Sequence, residues 1–344
     1  MDADLERYRR QVRLPEIGED GQRRLRASSV LVAGCGALGS VAAVLLVRAG
    51  VGRVVVADRD IVDRANLHRQ LLYDDDDAAT PTPKAQAAAR HLARANPDVR
   101  CEAVVADLDR TNVPRLVESV DLVIDGADNY ELRFLVNEAC VRAGRPFVSG
   151  AAIGTYGLQF TVLPGETACY ACLVDEIPAP GTTPTCETAG ILGTVSTIVA
   201  ATQATEALKV LTGRRDRVRR TLWAFDAWEG TRSEVAIVRR TGADGCPVCA
   251  QGRYDWLEGR LGGPAVRLCG RDMVQVPPPA GGRVDLDAVA AGLPADAGVF
   301  RSPFLLRFTA RGCEVTLFPD GRALVRGTDD PGRARAIVAE HLGM

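Results

Sequence analysis

Gly34, Gly36 and Gly39 fall in the string GCGALG, between the β-branched run Ser28–Ala33 and an apolar Ala/Val/Leu stretch that reaches Gly50. Glycines at this spacing on a strand-to-helix turn let the backbone approach a phosphate and aim a helix N-terminus at its charge. A purely structural glycine turn is the bland alternative. The next strand, Val54–Ala57, ends at Asp58, a position suited to accept from a ribose hydroxyl. On its own this β–loop–α–β unit points to NAD at least as readily as to ATP.

The segments that follow keep the same alternation. A helix is expected over Lys84–Asn96, a strand near Cys101–Val105, a strand at Asp121–Asp125, a helix over Tyr130–Ala143 and a strand at Pro146–Ser149. Strands alternating with helices predict an α/β, Rossmann-like sheet, mostly parallel and covered on both faces. Beyond Gly150 the pattern turns antiparallel, with strands at Gly157–Leu163, Thr221–Phe225 and Glu234–Val238. A long helix spans Gly190–Thr212, and Asp175–Thr185 is a Pro/Gly/Thr-rich loop. Residues 1–27 read as an Arg-rich helical lead-in.

From about Gln251 a small α+β unit is expected. Its order is strand Ala265–Cys269, strand Met273–Val276, helix Leu286–Leu293, strands Phe304–Thr309, Cys313–Phe318 and Ala323–Arg326, and helix Pro331–Leu342. The domains are thus placed at 1–250 and 251–344.

Bulk charge excludes little but is informative. The 42 basic and 44 acidic residues nearly balance, giving a net charge of −2, so no nucleic-acid or membrane partner is indicated. The charged N-terminus has no signal-like apolar run. No apolar stretch is long enough to span a bilayer, and a cytoplasmic protein is expected.

Within that frame, Asp60, Asn66, Arg69 and Gln70 lie in DRDIVDRANLHRQ, and Lys84 follows in TPKAQAA. A nicotinamide slot has no use for several cationic and amide groups beside the glycine loop, whereas a triphosphate does. A solvated charged loop is the competing reading. Asp128 and Asn129 follow the DLVID strand; the first suits Mg²⁺, and a helix N-cap accounts equally for either. Of the ten cysteines, Cys169 and Cys172 (CYAC) and Cys246 and Cys249 (CPVC) make two C-x-x-C pairs. Such pairs suit a structural tetrahedral zinc site, against a redox pair or simple burial. Cys186, in TPTCETAGILG, is placed to act as an exposed nucleophile, against an incidental thiol. Arg7, Arg9 and Arg10 read from the residues alone as an exposed basic helix, and Arg214–Arg220 as a solvated linker.

Together these strings, from RYRRQ at Arg7–Gln11 to CPVC, resemble the MoeB/ThiF family, the E1-like enzymes that activate ubiquitin-like sulfur carriers of the MoaD and ThiS type. The resemblance implies ATP-dependent adenylylation of a carrier's C-terminal Gly-Gly carboxylate. It assigns Gly34, Gly36, Asp58, Asn66, Arg69, Gln70 and Lys84 to ATP and Asp128 to Mg²⁺-assisted catalysis. It makes Arg10 the arginine that reaches the partner subunit's ATP site, hence a homodimer. It identifies the C-x-x-C pairs with a structural Zn²⁺ site and sets Cys186 where some members carry a reactive cysteine. A cysteine-desulfurase-type donor would supply sulfur. The tail, with LCGRDMVQVPPP and LFPDGRALVRGTDD, is similar to that of ThiF-type enzymes of thiazole biosynthesis. Molybdopterin or a sulfur-containing natural product is the alternative destination, and an NAD-dependent oxidoreductase the alternative class. The sequence departs from the family at Ala37, where Gly is common, and at Ala65, where Ser usually precedes Asn-Leu.

Overall fold

Val30, Val32, Val54, Val56 and Ile124 contribute to one apolar layer, while their neighbours Leu31, Ala33, Val55, Ala57 and Val123 contribute to another. Runs apolar on both faces belong to parallel strands sandwiched between helices, which is the arrangement found. A computed structural model describes residues 3–175, 177, 186–261, 273–278 and 284–342. The chain divides into two units, Met1–Leu261 and Gly262–Met344.

The first unit begins with helices α1 (Arg9–Val12) and α2 (Gly18–Ala27), then β1 (Ser29–Ala33), α3 (Ala37–Ala49) and β2 (Arg53–Asp58). It continues with α4 (Asp75–Ala79), α5 (Lys84–Ala95), β3 (Arg100–Val105), α6 (Val113–Glu118), β4 (Leu122–Asp125) and α7 (Tyr130–Ala143). Then come β5 (Phe147–Ile153), β6 (Tyr156–Val162), α8 (Tyr170–Leu173), α9 (Cys186–Ala189), α10 (Gly193–Leu211), β7 (Thr221–Asp226) and β8 (Thr231–Ala236). The eight strands form one sheet in the order β3-β2-β1-β4-β5-β6-β7-β8. The first five are parallel and β6, β7 and β8 antiparallel. Residues of α3, α5 and α10 fill the core on one face of the sheet, and residues of α6 and α7 fill it on the other.

The chain leaves β1 toward β2 and β3, then returns to lay β4 on the other side of β1. The carboxyl ends of β1 and β4 are therefore a topological switch point, where open α/β sheets bind ligands.

The expected strand Glu234–Val238 begins earlier, at Thr231. Asp226 accepts the amides of Trp228 (2.8 Å) and Glu229 (3.1 Å), closing a tight turn that starts β8 at once. The long helix begins at Gly193, because Gly190 adopts φ +71° and Ile191 bridges to Gly154. The acidic run Asp74–Asp77 is a capping box for α4: Asp77 donates its amide to Asp74 Oδ1 at 3.0 Å, and Asp74 donates its own to Asp77 Oδ2 at 3.2 Å. Residues 251–261 go with the first unit. Glu138 of α7 accepts the amides of Trp256 and Leu257, each at 3.0 Å, and Trp256 stacks on Phe134 at 5.9 Å.

The second unit contains β9 (Met273–Val276), α11 (Leu286–Ala291), β10 (Phe300–Ser302), β11 (Leu305–Ala310), β12 (Cys313–Leu317), β13 (Ala323–Arg326) and α12 (Pro331–Leu342). Its five strands form an antiparallel sheet in the order β10-β11-β12-β13-β9. Val274, Phe308, Val315, Val325 and Ile337 belong to its core. The expected strand Ala265–Cys269 lies outside the described residues, as does most of Asp175–Thr185. Among the described residues no helix is long and apolar enough to cross a membrane.

Candidate nucleotide site and thiol cluster

At the switch point the loops after β1 and β4 touch backbone to backbone. Gly34 has φ +92°, and a Cβ there would lie 2.5 Å from the Gly126 carbonyl oxygen; a Cβ on Gly126 would lie 2.0 Å from that of Gly34. Only glycine fits at either place. Gly36 differs: a Cβ there would meet only Gln70 Nε2, at 3.8 Å. Gly36 is also the N-cap of α3, without a side-chain cap. The unpaired amides of the first turn, next to an open glycine, form an anion-accepting cradle.

Gln70, from the segment after β2, borders this cradle, and Asn66, Arg69 and Lys84 belong to the same stretch of chain. Gln70 is buried, and its Oε1 has no hydrogen-bond partner among the described residues. A buried amide oxygen left unpaired is costly, and a ligand's donor would satisfy it. Asn66 Oδ1 accepts from Arg69 Nη2 at 2.6 Å. Lys84, only 3% exposed, places Nζ 2.9 Å from Asp60 Oδ2, and its amide donates to the Asp60 carbonyl at 2.8 Å.

Asp58 is committed to the backbone: Oδ2 accepts the Cys35 amide at 2.6 Å and Oδ1 the Asp60 amide at 2.7 Å. Each oxygen keeps a further lone pair for an incoming hydroxyl. Burial pushes the Asp58 carboxyl above its usual range, opposed by the charge of Lys84. Burial also pushes the Cys35 thiol up to about 12, which makes it a poor nucleophile despite its place in the loop.

On the far side of β1, Asp128 is exposed and its Oδ1 accepts from Asn129 Nδ2 at 3.0 Å. Asn129 Oδ1 in turn accepts the Leu132 amide at 2.8 Å, so Asn129 is the N-cap of α7. Behind them lies a network that the sequence reading did not single out. Asp125 accepts from Ser149 Oγ at 2.7 Å and pairs with Arg133 Nε at 3.1 Å. Arg133 Nη2 reaches the carbonyls of Ala127 (2.9 Å) and Gly150 (3.0 Å), and Gln203 Nε2 reaches that of Asp125 (2.8 Å). The carboxyl ends of β4 and β5 are thereby locked. The available signal was a charged or amide residue in an otherwise apolar strand or helix face. Arg59 was also missed; its Nη1 lies 3.2 Å from Asp107 Oδ1.

Arg10 is exposed on α1 and forms no hydrogen bond or ion pair with these groups. Of Cys186, the first residue of α9, only the backbone is described.

The two C-x-x-C pairs converge. Cys169 and Cys246 sulfurs lie 3.6 Å apart, as do those of Cys172 and Cys249, and all four lie within 4.8 Å of one another. A disulfide needs about 2.0 Å, and all four are free thiols. Sulfurs arranged tetrahedrally at 2.3 Å from a zinc ion stand about 3.8 Å apart, so the donor set fits such an ion. Among the described residues four sulfurs and no further donor make up the cluster, a closed set that suits a structural role.

A large mixed sheet with a glycine loop at its switch point, cationic groups beside that loop and a four-thiol cluster define a nucleotide-binding α/β protein. The sequence profile of the ThiF family matches residues 8–248, and the chain belongs to that family. It is 41% identical over 338 residues to the sulfur carrier protein ThiS adenylyltransferase of Bacillus subtilis, covering 98% of this chain and 99% of that protein. It is 42% identical over 259 residues to the SAMP-activating enzyme E1 of Haloferax volcanii, covering 75% of this chain and 94% of that one. The sulfur carrier protein ThiS adenylyltransferase of Escherichia coli is 38% identical over 256 residues, 74% of this chain and 98% of its own length. Among solved structures, E. coli MccB superposes with a TM-score of 0.62 at 21% identity, over 73% of this chain and 74% of that one, a likeness of fold.

Proposed function

We propose that this chain is an ATP-dependent adenylyltransferase acting on the C-terminal glycine carboxylate of a ubiquitin-like sulfur-carrier protein, in a thiamine-related pathway. The observation that carries the reading is Gln70 beside Gly36, its amide oxygen unpaired among the described residues, in the stretch after β2 that also carries the Asn66–Arg69 and Asp60–Lys84 pairs. It occurs in a chain whose identity to the B. subtilis protein runs through nearly its whole length.

In this reading ATP's phosphates lie on the first turn of α3, and Asp58 and Asp60 take the ribose. Lys84 and Arg69 neutralise charge on the phosphates. The carrier's carboxylate attacks the α-phosphorus; an oxygen–phosphorus bond forms, the bond to the β-phosphate oxygen breaks and pyrophosphate leaves with its electron pair. No general base is required, since a terminal carboxyl with a reference pKa of about 3.5 is ionised at neutral pH. Catalysis is then alignment and charge neutralisation. Asp128, its Oδ1 steadied by Asn129, would hold Mg²⁺, which when bound offsets phosphate charge. Arg10, exposed on α1, would complete the site of a second copy, so the working unit would be a homodimer. The four cysteines would hold a structural Zn²⁺. A cysteine-desulfurase-type donor would supply a persulfide, with Cys186 as a relay; its outer sulfur would displace AMP to give an acyl disulfide, and a second thiol would cleave the S–S bond, freeing the thiocarboxylate and leaving a disulfide. The setting would be cytoplasmic.

The test is ATP–pyrophosphate exchange by the purified chain, with and without a carrier protein ending in Gly-Gly. Carrier-dependent exchange is expected. Absence of exchange together with NAD binding would return the site to an oxidoreductase.

A further inference from the structure

Two arginines stand ahead of the second cysteine pair, and both close on backbone that carries thiols. Arg240 donates from Nη2 to the Ala171 carbonyl at 2.6 Å, and its Nη1 lies 2.6 Å from Asp175 Oδ1. Ala171 lies between Cys169 and Cys172, so a side chain leaving one knuckle grips the other. The Arg240 carbonyl accepts the Cys246 amide at 3.1 Å. Held on the Ala171 carbonyl, the guanidinium sits beside the residue that precedes Cys172. Arg239 does related work on the other knuckle, reaching the Cys249 carbonyl at 3.2 Å and the Gly165 carbonyl at 2.8 Å.

Four thiolates around a divalent cation leave two uncompensated negative charges. Cys169 and Cys246 are buried, and Cys172 and Cys249 are partly so, so water screens that excess poorly. A guanidinium held on the backbone one residue before Cys172 compensates part of it close to where the charge sits. Its fixed planar fork also holds the Cys169–Cys172 turn at the spacing a tetrahedral ion requires. Asp175 fixes the fork's far side.

We propose that Arg240 is the charge-compensating, ligand-positioning residue of the four-cysteine metal centre, and that retention of the metal depends on it. The inference rests on the zinc reading of that cluster.

Full-length wild-type chain, Arg240→Gln and Arg240→Lys would be loaded with Zn²⁺, and zinc per chain measured by elemental analysis. The rate of zinc release to a chromogenic chelator would then be followed. Leu25→Ala, a truncation in the other core layer, serves as a control for general destabilisation. Loss of an outer hydrogen-bond partner typically costs about 10–100-fold in metal affinity, and Arg240→Gln should accelerate release by that order. Arg240→Lys, which keeps the charge and loses the fork, should fall between it and wild type. Leu25→Ala should release zinc at the wild-type rate. Release from Arg240→Gln at the wild-type rate, or equally fast release from Leu25→Ala, would overturn the proposal. Wild-type chain that holds no zinc after loading would instead remove the metal reading itself, and the proposal with it.

Discussion

Lys84 is 3% exposed, with its ammonium 2.9 Å from Asp60, so its removal has two effects that must be separated. Stripping a buried carboxylate of its nearest cation costs about 3–5 kcal/mol. Lys84→Ala should therefore lose stability in urea unfolding as well as adenylylation. Lys84→Met combined with Asp60→Asn removes both charges, and it should recover most of the stability while exchange stays at background. Recovery of exchange by the double variant would show that Lys84 serves only the fold. Asp128 presents the opposite case. It is exposed, so Asp128→Ala should change stability by less than about 0.5 kcal/mol. If it holds the metal, pyrophosphate exchange should fall by about 100-fold or more; full exchange would sink the assignment. Residues of this kind were legible because their neighbours in sequence are also their neighbours in space: Asp58, Asp60, Asn66, Arg69 and Gln70 all follow one strand. Arg133 and Gln203 were not. Gln203 meets Asp125 across 78 residues, Arg133 folds back from α7 onto the strand before it, and an isolated polar residue on a helix announces no partner.

The alternation of β-branched runs with helical stretches was readable because a parallel strand buried on both faces has little freedom of composition. Short elements escaped. The helix α6 has six residues and β10 three, lengths at which periodicity carries almost no signal. The start of β8 was set by side-chain capture of two amides at Asp226, which no pattern of apolar residues encodes. Helix α7 carries a consequence that can be measured. Glu138 is buried on it, and that burial pushes its carboxyl from the ordinary 4.5 to about 7, reinforced by Asp255 and Glu258 and opposed by the Trp256 and Leu257 amides. The folded state therefore binds more protons than the unfolded state between these values, and the Glu138 contribution to stability falls as pH rises from about 4.5 through 7. Glu138→Gln keeps an oxygen for both amides and cannot ionise. Above pH 7 it should be more stable than wild type by roughly 1–3 kcal/mol, and the gain should vanish below about pH 4.5. Equal stability of the two proteins at pH 8 in thermal or urea unfolding would show that the carboxylate is solvated.

At the scale of the whole molecule, the family match ends at residue 248, inside the first unit, while identity to the B. subtilis protein extends over 98% of the chain. The chemistry shared across the family is thus argued for the first unit. Within it Lys84, Arg69 and Asp128 are the residues proposed for the site, while Arg10 is exposed on α1 and has no ion pair among the described residues. If Arg10 completes the site of a second copy, Arg10→Ala and Asp128→Ala fail in different subunits, and that difference is testable. Each variant alone should show background exchange. Co-expressed with two affinity tags, they form a mixed dimer in which one site has both defects and the other has neither. Purified mixed dimer should recover about half of wild-type exchange per chain, and random mixing about one quarter, as two-fold symmetry requires. An arginine acting within its own chain would leave every site of the mixed dimer with one defect, and exchange would stay at background. Recovery would establish the shared site. Background activity in a verified mixed dimer would confine Arg10 to its own subunit.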